Sequence, residues 1–67
     1  MDASTRVFLC YLVNSTEANE ELQVVAYNML NVHSYQPTGG ELAAICLARM
    51  NGIHLANELL DSWPKGQ

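Results

Sequence analysis

Between Leu22 and Leu30 the apolar residues Leu22, Val25, Ala26, Met29 and Leu30 fall at i, i+3, i+4, i+7 and i+8, which is one stripe of an α-helix. Val24 and Tyr27 widen it. Upstream, Val7, Leu9, Cys10, Tyr11 and Val13 surround much of the circumference of a first helix, which Asp2 or Ser4 can cap and which runs to about Val13. The polar cluster Asn14-Ser15-Thr16 interrupts it. Ser15 or Thr16 can then cap a second helix beginning near residue 16, with Glu17, Glu20 and Glu21 where a helix start is electrically positive. No stretch alternates cleanly between polar and apolar residues, so no strand is predicted.

Asn31 to Pro37 reads as the principal loop, because Pro37 disfavours helix at Gln36. Thr38 and Glu41 have the spacing of a capping box, which starts a third helix running to about Asn51. Gly39 and Gly40 in its first turn weaken that start, each by up to about 1 kcal/mol relative to alanine. Gly52 can take the left-handed conformation that closes a helix, and a fourth helix is expected from about Ile53 to Ser62, stopped by Pro64. A continuous helix through Asn51-Gly52 is the alternative. The third helix has little polar face: Leu42, Ile45 and Cys46 mark one stripe, Ala43, Leu47 and Met50 the next, and Ala44 and Ala48 add no polar cover. Such a helix must be touched on at least two sides, inside a stack of helices or at a subunit interface. Ala44 and Ala56 are small enough to let paired backbones approach, with Leu47, Leu59 and Leu60 filling around them. The expectation is one all-α domain over residues 1–67, built of three to four short helices as stacked antiparallel hairpins, 3–32 and 38–63.

Composition sharpens this picture. Apolar residues make up 49% of the chain and charged residues 15%, against about 25% charged in ordinary soluble domains. A domain near this length hides only about 60% of the surface its unfolded chain exposes. The surplus apolar surface is expected to meet a partner, another copy or another protein. Three basic residues against seven acidic ones give a net charge of −4, the wrong sign for holding nucleic acid. The longest apolar run, Val7 to Val13, is far shorter than the ~18 residues of a membrane span, and no basic leader precedes it, so neither export nor insertion is expected. Cys10 and Cys46 sit in apolar surroundings and read as buried free thiols in a reducing cytosol, with one disulfide between them left open.

The spacing of Ala44, Leu47, Gly52, Ala56, Leu60 and Pro64 resembles the core of a tetratricopeptide repeat. Pro64 comes about one turn early, Trp63 stands where the repeat prefers alanine, and Gly40 stands where it places a tryptophan. Across residues 17–64, Glu20-Glu21, Ala26, Met29, Ile45, Leu47, Met50, Asn51, Gly52, Ala56 and Pro64 resemble the small repeat-containing chaperones of the type III secretion needle subunit. That resemblance implies a stack of helical hairpins whose concave apolar groove holds the amphipathic C-terminal helix of the needle subunit. It also implies a second, very small helical co-chaperone, and a three-protein complex that keeps the subunit from polymerising in the bacterial cytosol. Adaptable methionines and half-wet tyrosines suit such a groove, which nominates Tyr11, Tyr27, Met29, Leu47 and Met50, although core packing is the plainer reading of any one of them. Trp63 is either a recognition anchor or a stop that covers the hairpin's end.

Catalytic chemistry is not indicated. His33 and His54 lack a second ligand-type residue at helical spacing, and there is no Cys-x-x-Cys pair, so no metal or cofactor is expected. Cys46 and His54 can be drawn as a nucleophile and base, but an apolar setting leaves a thiol inert. Gly39-Gly40 lacks the strand and the Gly-Lys-Ser/Thr of a phosphate loop. The functional expectation is a cytosolic chaperone or adaptor that masks an amphipathic helix. The alternative is a small homodimeric regulatory or phage-type protein that blocks a host protein.

Overall fold

Asp2 accepts the amide of Thr5 at 2.6 Å and opens α1, Ala3–Asn14. Asn19 does the same for Leu22, at 2.8 Å, at the head of α2, Glu20–Asn31. On α3, Gly39–Met50, the predicted capping box is present: the Thr38 hydroxyl accepts the Glu41 amide (3.2 Å) and the Glu41 carboxylate accepts the Thr38 amide (2.8 Å). Helix α4, Ile53–Ser62, follows Gly52 without a side-chain cap. These elements come from a computed structural model that describes residues 1–64; the last three residues of the expected 1–67 domain lie outside the described residues.

Gly52 separates α3 from α4, and the continuous helix is ruled out. Its conformation is not the left-handed helical one expected but an extended one at positive φ (φ 122°, ψ 155°), open to glycine and strained for other residues. The amides of Asn51 and Gly52 both donate to the Leu47 carbonyl, at 2.8 and 3.2 Å, which finishes α3 before the chain turns.

A second correction concerns the start of α2, which is Glu20 rather than a position near 16. Ser15 and Thr16 do not cap it. The Ser15 hydroxyl accepts the Glu17 amide at 3.2 Å in a turn of its own. Ala18 is buried in the core. Asn57 of α4 then grips the connector from across the molecule, donating to the Glu17 carbonyl (2.9 Å) and accepting the Asn19 amide (3.1 Å). From α2, Gln23 donates to the carbonyls of Val13 (3.3 Å) and Ser15 (2.9 Å), satisfying acceptors that the end of α1 leaves open.

The helices form two hairpins, α1 with α2 and α3 with α4, joined because α2 packs on both α3 and α4. This is the all-α stack of hairpins predicted, and its Cα radius of gyration, 11.0 Å, matches the ~11 Å of a compact chain this long. Leu22, Val25 and Ala26 are buried with Met29 and Leu30 packed beside them, as the stripe on α2 requires. On α3 the outcome differs from expectation. Its buried face is Gly40, Ala44, Ile45 and Ala48, three small residues and one large, while Leu42 and Cys46 are exposed. Ala44 and Ala56 are both fully buried, so neither helix has room for a larger side chain there. Trp63 lies over Gly40: a Cβ on that glycine would stand 2.6 Å from the indole Cδ2. The tryptophan therefore covers the first turn of α3.

Two substitutions test this packing. Ala56→Leu overfills a site with no spare volume and should lower unfolding free energy by about 1–3 kcal/mol. Asn57→Ala removes both bonds to the connector and leaves the part-buried Asn19 amide without its partner, for a loss of about 1–3 kcal/mol. Urea denaturation followed by circular dichroism reads both; a midpoint unmoved by Asn57→Ala contradicts the clamp.

Candidate helix-docking face

Because the side of α3 that carries Gly40, Ala44, Ile45 and Ala48 faces inward, Leu42, Cys46 and Met50 face outward. Leu42, Cys46 and Met50 recur every fourth position and form a ridge along the exposed side, with Leu42 46% and Met50 79% accessible. Arg49 shares this side of the helix and reaches α1. Its guanidinium lies 5.5 Å from the centre of the Phe8 ring and donates to Ser4 Oγ (2.5 Å) and Thr5 Oγ1 (3.4 Å). Beyond Phe8, at 6.2 Å between ring centres, is Tyr11, 53% exposed; Val7, one turn earlier on the same helix, is 69% exposed. The sequence Tyr11, Phe8, Arg49 thus connects the exposed apolar parts of α1 and α3. A nearby carboxylate, Asp2, is held below its ordinary range chiefly by hydrogen bonds from the Thr5 backbone and side chain, with Arg49 adding to the effect.

Of the residues nominated from sequence, Tyr11 and Met50 stand on the two helices of this face. Tyr27 is exposed on α2 near Val24, Leu47 is half-buried against the core, and Trp63 rests on Gly40 as a hairpin stop. Met29 is half-buried and lines a separate hollow. Val7, Leu42, Cys46 and Arg49 were not nominated. The four-residue spacing of Leu42, Cys46 and Met50 was the available signal, but it competes with other apolar spacings on the same helix. Both cysteines are free, and both are exposed rather than buried. Each follows a buried residue, Leu9 or Ile45, by one position, which rotates it about 100° out of the core.

The hollow that Met29 lines has a volume of about 480 Å³ and lies at the end of α2, with Leu30, Val32, Tyr35, Arg6 and His33 also in its wall. A second hollow of about 520 Å³ is floored by Val24 and Val25 and rimmed by Glu20, Glu21, Glu41 and Asp61. Tyr35 is pushed up to about 12 by partial burial, by donating its hydroxyl to Glu41, and by that carboxylate's charge. Among the described residues no three His, Cys, Asp or Glu side chains are placed to hold a metal, and no helix is long and apolar enough to cross a membrane. No family model, no curated protein and no solved structure matches this chain.

The Tyr35–Glu41 bond has a pH signature. A phenol whose folded pKa is raised above the unfolded value of about 10 contributes stability below pH ~10 and loses it as pH rises toward 12. Ultraviolet titration of phenolate should show one tyrosine ionising near 12, moving down in Glu41→Gln; an unmoved titration would mean the bond is not formed in solution.

Proposed function

We propose that this chain is a binding module that masks an amphipathic helix of a protein partner, seated along the exposed sides of α1 and α3. The observation carrying this reading is the Leu42–Cys46–Met50 ridge, linked through Arg49 and Phe8 to Tyr11. An amphipathic helix offers apolar side chains at i, i+3, i+4 and i+7, and a face bounded by two helices with methionine and tyrosine on it suits that pattern. Arg49 is occupied by Phe8, Ser4 and Thr5, so it adds rigidity rather than an unsatisfied charge. Masking needs no covalent chemistry, and the reading is of a non-enzymatic protein without cofactor.

In its finer form the partner is a type III secretion needle subunit, the chain acts in the bacterial cytosol with a small helical co-chaperone, and masking prevents premature polymerisation. The supporting residues are those of the resemblance, Glu20-Glu21, Ala26, Met29, Ile45, Leu47, Met50, Asn51, Gly52, Ala56 and Pro64. Under the alternative, a second copy of the chain covers the α3 ridge in a homodimer.

Met50→Glu places a charge at the most exposed point of the ridge, so folding should be unchanged while capture of a co-expressed needle-type subunit falls at least about tenfold. Pull-down beside circular dichroism reads the two effects. Equal capture by the variant would remove the face from the account, and a variant that dissociates a pre-existing dimer would favour the homodimer.

A further inference from the structure

We propose that the hollow at the end of α2 binds a small apolar carboxylate, an aliphatic tail with an anionic head. Its volume, about 480 Å³, lies in the range of small-molecule sites, about 300–1,000 Å³. Met29, Leu30 and Val32 give it an aliphatic wall, of which the methionine is the part that adapts to the shape of a tail. Tyr35 contributes its half-buried ring to the same wall.

Charge selects the head group. The chain has three Lys and Arg residues against seven Asp and Glu, yet one of the three, Arg6, lines this hollow beside the His33 imidazole, and no carboxylate among the described residues does. The carboxylates gather instead around the hollow floored by Val24 and Val25. Arg6 makes no ion pair with any described residue, unlike Arg49, whose guanidinium is engaged on α1. A guanidinium beside an aliphatic wall offers a carboxylate two parallel donors while the tail leaves water. An uncharged aliphatic ligand would gain only the second of these contributions.

The test is an amide chemical-shift titration of the full chain with octanoate, with octanol as the uncharged comparison. Saturable shifts are expected at Arg6, Met29 to His33 and Tyr35, with octanol at least about tenfold weaker and octanoate weakened about tenfold in Arg6→Gln. Arg6 is exposed, so its substitution should leave the helices in place, which circular dichroism checks. Absence of saturable shifts at millimolar octanoate would overturn the proposal. So would shifts confined to Val7, Tyr11, Leu42 and Met50, equal binding of octanol, or unchanged affinity in a folded Arg6→Gln variant.

Discussion

The structure depends on how α2 is held. That helix packs against each of the other three, and its entry is fixed by a side chain from the far end of the chain: Asn57 donates to Glu17 and accepts from Asn19. Each bond alone is worth only about 0.5–1.5 kcal/mol net, but leaving a part-buried connector unpaired would cost more than forming it returns. Gln23 performs the same service one turn into α2, taking up carbonyls at the end of α1. With both ends of the connector held, the first hairpin is seated against α4, and Leu22, Val25 and Ala26 are committed to the core.

That commitment determines what is left outside. The interior sets five alanines, Ala18, Ala26, Ala44, Ala48 and Ala56, among seven larger residues, Leu9, Leu12, Leu22, Val25, Ile45, Ile53 and Leu60. Alanines allow helices to pack closely, which keeps the molecule compact, but they fill volume that larger aliphatic groups would otherwise occupy. Leu42, Met50, Val7 and Tyr11 therefore remain on the surface although the chain is not short of apolar residues. A chain of 67 residues has too little interior to take them in. Shape and exposed ridge have the same cause, the choice of the Gly40, Ala44, Ile45 and Ala48 side of α3 as the inner one.

Local features were legible in the amino-acid sequence. The capping box of Thr38 and Glu41, the break at Gly52, the stop after Ser62 and the stripe on α2 each depend on residues a few positions apart, and each is present. The connector was not legible, because the turn at Ser15 imitates a helix cap and the residue that decides against one, Asn57, is about forty positions away. The inner face of α3 was ambiguous for another reason: with apolar residues around most of its circumference, periodicity cannot choose among faces, and contact with α4 does. The candidate face inherits that ambiguity. Tyr11 and Met50 were nominated for their chemistry, whereas Leu42, Cys46 and Arg49 emerge only once the direction of α3 is known.

What the functional account requires is that the α1–α3 face be apolar and uncovered in the folded, isolated chain. Fluorescence titration with an apolar dye such as anilinonaphthalene sulfonate, on protein shown by circular dichroism to be helical and by sedimentation to be monomeric, measures this directly. Saturable enhancement in the native state, diminished when Leu42 and Met50 are replaced by polar residues, is the predicted result. A folded monomer that gives no enhancement would contradict the account.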